Sequence, residues 1–75
     1  MKAEIYVTSK DVHSLKRCFD AEIATMQTLR STVAIHTTKD TIQFSVTATD
    51  ATALRATLNS ITKLLSVFEK VKNNE

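Results

Sequence analysis

The chain has 75 residues and contains neither glycine nor proline. Every turn must therefore be built from residues that carry a Cβ, for which positive φ is costly. That excludes the P-loop, the dinucleotide-binding fingerprint, the nucleophile elbow and the glycine clamp of KH-type RNA-binding modules. What remains possible is regular elements joined by short polar links. The length allows one domain, 1–75. With 43% hydrophobic and 24% charged residues, the chain has a globular composition rather than that of a disordered tail. No apolar stretch approaches the ~20 residues of a membrane span. Met1-Lys2-Ala3-Glu4 leads into alternation rather than an apolar leader, so no signal peptide is expected. The single Cys18 rules out an internal disulfide and a multi-cysteine zinc knuckle. A reducing, cytoplasmic setting is the expectation.

Hydrophobic periodicity divides the chain into five elements. Lys2 to Thr8 alternates strictly, with Ala3, Ile5 and Val7 on one face, which predicts a half-buried strand. Thr8 or Ser9 then sits where an N-cap belongs, with Asp11 in the first helical turn. Val12, Leu15 and Phe19 follow at helical spacing, predicting a helix from Lys10 to about Asp20. Ile23 and Met26 partly continue its stripe. Thr32–Thr38 and Thr41–Thr49 alternate again around the polar link Lys39-Asp40, a hairpin signal. Asp50 is placed to cap a long helix from Ala51 to about Lys72, and Asn73-Asn74-Glu75 is expected to fray. The fold class expected is α+β, β-α-β-β-α. Two helices cover one face of a three-stranded, mostly antiparallel sheet, with a right-handed first crossover and the hairpin beside the first strand.

Two surfaces are left over. On the last helix Leu54, Leu58, Ile61, Leu65 and Phe68 form the stripe that must face the sheet. A second flank carries Ala53, Thr57, Ser60, Leu64, Val67 and Val71. Together they span about 180°, more than the ~100° a surface helix needs. The flank either packs on the first helix or receives a helix from another chain. Thr57, Ser60, Leu64, Val67 and Val71, with Arg55 beside them, are the candidate partner-binding residues. The sheet face turned away from the helices carries Tyr6, Thr32, Ala34, His36, Gln43, Ser45, Thr47 and Thr49, and is polar but almost uncharged. Tyr6, Ala34, His36, Gln43 and Ser45 are the candidate dimer interface. Size favours association, since below ~70–80 residues one core rarely supplies more than ~3–5 kcal/mol.

Reaction chemistry is not visible. His13 and His36 lack metal-ligand spacing, and Cys18 has no base placed beside it by sequence. Asp11, Asp20, Asp40 and Asp50 are accounted for as caps and turns. Glu4, Glu22 and Glu69 form no acid–base pair. No catalytic residue, metal or cofactor is expected. Lys16-Arg17, Lys63 and Lys70 read as solvated faces that offer at most a weak RNA contact, and a net charge of +2 is too small for a phosphate footprint.

One stretch is specific enough to carry a resemblance. Asp50-Ala51-Thr52-Ala53-Leu54-Arg55-Ala56-Thr57-Leu58-Asn59-Ser60, followed by Leu64-Leu65, resembles the closing helix of the small dimerisation subunit of the KEOPS complex. This is the polarised-growth, chromatin-associated controller family. Arg30-Ser31-Thr32-Val33-Ala34-Ile35 is similar to the start of that family's second strand. Element order and length agree over nearly the whole chain. Ala21 and Lys39-Asp40 depart from the family, which often has proline after the first helix and glycine or asparagine in the hairpin. The resemblance implies a non-catalytic scaffold. KEOPS makes threonylcarbamoyl-adenosine next to the anticodon of tRNAs that read codons beginning with A. The small subunit forms a homodimer, or a heterodimer with a paralogue, and docks the catalytic transferase subunit through its helices. It binds no cofactor and contacts tRNA indirectly or weakly. The alternative is a small KH-like or half-ferredoxin RNA-binding module that acts without a partner enzyme.

Overall fold

A computed structural model describes residues 1–73, with side chains through Lys70. The elements run β1 (Lys2–Thr8), α1 (Val12–Met26), β2 (Ser31–Thr37), β3 (Thr41–Ala48) and α2 (Ala51–Asn73). The sheet order is β1-β3-β2, and both pairings are antiparallel. Asn73, expected to fray with Asn74 and Glu75, is instead the last residue of α2; the other two lie outside the described residues.

Alternation decides the burial. In the register, Ala3, Val46 and Val33 form one row across the inner face, and Ile5, Phe44 and Ile35 the next. Ile42, Phe44 and Val46 on the central strand are completely buried, because they have a strand on each side and helices above. Phe19 of α1 meets Phe44 with ring centroids 4.5 Å apart and the planes tilted by 54°, which avoids the unfavourable face-to-face sandwich. Ile61 of α2 is buried in the same core.

The helix boundaries differ from the sequence reading at both ends of α1. Its N-cap is Asp11, which accepts from the Ser14 N–H at 3.4 Å. Ser9 is engaged elsewhere: its N–H donates to the Asp40 carbonyl at 2.9 Å and its Oγ accepts from the Asp11 N–H at 3.1 Å. The helix then runs past Asp20 to Met26, since the apolar stripe continues and no proline or glycine interrupts it. Asp20 is therefore a mid-helix residue, ion-paired with Lys16 at 2.7 Å, and not a cap. Gln27 ends α1 in an extended conformation. Its side-chain amide donates to the Val33 carbonyl at 2.8 Å and accepts from the Val33 N–H at 3.1 Å. This fixes α1 against β2.

The remaining links are held without left-handed backbone, since no described residue has positive φ. Thr38 N–H donates to the Thr41 carbonyl at 2.8 Å across Lys39-Asp40. Asp50 caps α2, its Oδ1 accepting from the Ala53 N–H at 2.8 Å and its Oδ2 from Arg30 Nη2 at 2.5 Å. The cap's hydrogen bond from Ala53, helped by the Arg30 guanidinium, holds the Asp50 carboxyl below its ordinary pKa. The motif's first residue thus fixes where the long helix begins.

Candidate docking surfaces

The wide flank of α2 divides into two parts. Near its start, Ala53 and Thr57 are buried, Thr57 to 6% exposure. The Thr57 hydroxyl lies 2.8 Å from Ser31 Oγ and donates to the Ala53 carbonyl at 3.1 Å. A helical wheel places Thr57 with the partner-binding residues, but the fold turns it inward against β2. What a wheel cannot show is Ser31, which stands 26 residues earlier in sequence.

Farther along, α1 and α2 leave an open groove between them. Thr25 and Met26 of α1 line one wall, and Ser60, Lys63, Leu64 and Val67 of α2 the other. The groove continues toward Ala53, Ala56 and Arg30. Val67 is 51% exposed although it sits on an apolar stripe. Leu64 is half-buried and packs partly on the core. Arg55 and Ser60 are exposed. The Val71 side chain lies outside the described residues.

The hydroxyls of this groove are already satisfied by backbone. Ser60 Oγ donates to the Ala56 carbonyl at 3.1 Å, and Thr25 Oγ1 to the Glu22 carbonyl at 2.7 Å. Such back-bonded side chains can be covered by an apolar partner without stranding a donor.

The candidate sheet face comes together as the alternation implies. Tyr6, Gln43 and His36 are register neighbours in one row, and Ser45 and Ala34 are neighbours in the next. Tyr6 is 63% exposed. Its hydroxyl donates to Glu4 Oε2 at 2.9 Å and accepts from Gln43 Nε2 at 3.3 Å. The hydrogen bond to Glu4, reinforced by that carboxylate's charge, raises the Tyr6 pKa above its ordinary value and keeps the phenol a donor.

No chemistry of another kind gathers. Among the described residues no three His, Cys, Asp or Glu side chains come close enough to hold a metal ion. His13 and His36 are exposed on different elements, and Cys18 is a half-buried free thiol on α1. No helix among the described residues is long and apolar enough to cross a membrane.

A family profile described as "Transcription factor Pcc1" matches residues 4–73, from the first strand through the last helix. The chain belongs to the Pcc1 family. Pcc1 proteins are non-catalytic subunits of the KEOPS/EKC tRNA-modification machinery and partner its other components. The residues that suggest the family in sequence, Asp50 to Ser60 and Arg30 to Ile35, lie inside the matched span. In this Pcc1 chain they meet physically, through Arg30–Asp50 and Ser31–Thr57. No curated protein matches the chain.

Proposed function

We propose that the chain is the scaffold and dimerisation subunit of a KEOPS complex that makes threonylcarbamoyl-adenosine in tRNA, and that it docks the catalytic transferase subunit through its helices. The observation that supports this most directly is the half-exposed Val67 beside Leu64, in an open groove between two helices. Together with the apolar part of Leu64 it offers a partner a contact that water does not compensate. A partner helix laid along it would pack ridges into grooves against both α1 and α2. The exposed Arg55 and Ser60 then lie at the rim. Lys16 and Arg17 on α1 form the next candidate surface, and Lys16 is already paired with Asp20. Self-association through the sheet is the second part of the reading, and leaves the helical layer free for the enzyme. The chain contributes no catalytic group and no cofactor site in this reading, touches tRNA at most weakly, and works in the cytoplasm.

The test is co-expression with the transferase subunit of the same organism. The two should elute together from a size-exclusion column at a defined ratio. Separate elution at micromolar concentration would remove the scaffold reading.

A further inference from the structure

An uncharged strand lies at one edge of the sheet. β2, Ser31-Thr32-Val33-Ala34-Ile35-His36-Thr37, has no lysine, arginine, aspartate or glutamate, and four of its seven residues are β-branched. Short segments of this composition stack readily into strand assemblies. Edge strands are ordinarily blunted by charge or proline. β1, at the other edge, carries Lys2 and Glu4. β2 carries neither device, so its protection has to come from outside the strand.

The hydrogen bonds around β2 supply it. Thr49 N–H donates to the Arg30 carbonyl and Thr38 N–H to the Thr41 carbonyl, both at 2.8 Å. Antiparallel alternation therefore turns the backbone groups of Thr32, Ala34 and His36 toward β3, and those of Ser31, Val33, Ile35 and Thr37 outward. Thr28 N–H donates to the Ser31 carbonyl at 2.9 Å, and Ser31 N–H to Thr28 Oγ1 at 3.0 Å. Gln27 Nε2 donates to the Val33 carbonyl at 2.8 Å, and Gln27 Oε1 accepts from the Val33 N–H at 3.1 Å. A primary amide offers the same donor and acceptor as a peptide group. It takes the two bonds that a residue of a neighbouring strand would take. Among the described residues no hydrogen bond runs to the outward groups of Ile35 and Thr37. Two residues are too short a run to hold a strand.

We propose that Gln27 closes the sheet: its amide stands in for a fourth strand, keeps β2 from recruiting a second chain, and so keeps assembly finite. A chain that adds copies at two surfaces can grow without closure. With β2 shut, the self-association proposed above ends at a particle of fixed size. That consequence rests on the earlier reading, whereas the shut edge does not. Gln27 also ties α1 to β2, and an anchor alone predicts a loss of stability and nothing more.

The measurement is mass by light scattering from micromolar to millimolar concentration. It is read as a ratio to the parent, so it holds whether the parent particle is one chain or two. Gln27→Met keeps an unbranched stem and removes both bonds. It should stay folded by circular dichroism, reach at least twice the parent mass, and grow with concentration. Adding Thr37→Pro should return it to the parent mass, because proline takes an outward N–H from the opened edge and leaves the ladder to β3 intact. Gln27→Ser removes the same amide without placing a hydrophobic group on the exposed site, and should grow likewise. A folded Gln27→Met or Gln27→Ser chain that keeps the parent mass throughout would overturn the proposal. Growth that Thr37→Pro does not reverse would overturn it too, since the new contact would then lie elsewhere. So would loss of folding in both variants, which would make the amide a part of the fold and not a stop on its edge.

Discussion

Replacing Val67 by glutamate should leave the chain folded and separate it from the transferase subunit. Val67 is 51% exposed, so a carboxylate there can reach water in the free chain. Surface substitutions of this kind usually change stability by no more than about 0.5 kcal/mol. In a docked complex the same carboxylate would lie in an apolar helix interface without a partner, at a cost of several kcal/mol. About 2.8 kcal/mol corresponds to a hundredfold in affinity, so binding should fall by at least that factor. Ile61 supplies the internal control. It is fully buried on the sheet-facing side of the same helix. Ile61→Ala should cost about 2–5 kcal/mol, a large share of the 5–15 kcal/mol that typically holds a domain together, and Ile61→Glu should abolish folding. Leu58 and Leu64 are weaker choices for this contrast, because both are half-buried against the core. Thermal unfolding by circular dichroism reads the fold, and calorimetric titration with the transferase subunit reads docking. A Val67→Glu chain that melts like the parent and binds within threefold of it would refute the groove as the docking site. One that fails to fold would show that Val67 belongs to the core.

Further outcomes follow from individual contacts and from the low net charge. Ser31→Ala should cost about 1 kcal/mol, lowering the melting temperature by about 4–8 °C, because it removes the buried bond to Thr57 and the part-buried one to Thr28, while Thr57 keeps its bond to Ala53. Asp50→Ala should lower the melting temperature by several degrees through loss of the α2 cap, without altering affinity of the folded chain for its partner. The native pKa of Asp50 lies below its ordinary 3.8, so its stabilisation is full above that value and fades as pH falls through the lower native one. Asp50→Asn should keep much of the cap and flatten that acid limb. Finally, tRNA binding by the isolated chain should be weak, with a shallow dependence of log affinity on log salt. A steep negative slope would favour the RNA-binding module instead.

The strands were legible because their signal is local. Lys2–Thr8 alternates without a break and forms β1 over those same residues. Asp50 was legible as a cap because the residue type and the following apolar stripe agree, and its side chain makes the expected bond. The end of α1 was not, since Ile23 and Met26 fit both a continuing helix and a loop that packs. What decides is Gln27, whose amide bonds to a strand six residues away. The inward turn of Thr57 was hidden for the same reason: its partner, Ser31, is remote in sequence. Val67 and Leu64 stand out in sequence as excess apolar surface. Their different exposure depends on how far the two helices splay, which periodicity does not encode. The hydrogen bonds from Gln27 and Thr28 to the outer edge of β2 are likewise loop contacts that periodicity does not encode.

Docking through the helical layer is most directly tested by amide hydrogen exchange on the chain, alone and saturated with the transferase subunit. Slowed exchange should appear in the second half of α1 and along α2 from about Ala56 to Val67, with β3 unchanged. Protection confined to the sheet, or no change at saturation, would contradict the account.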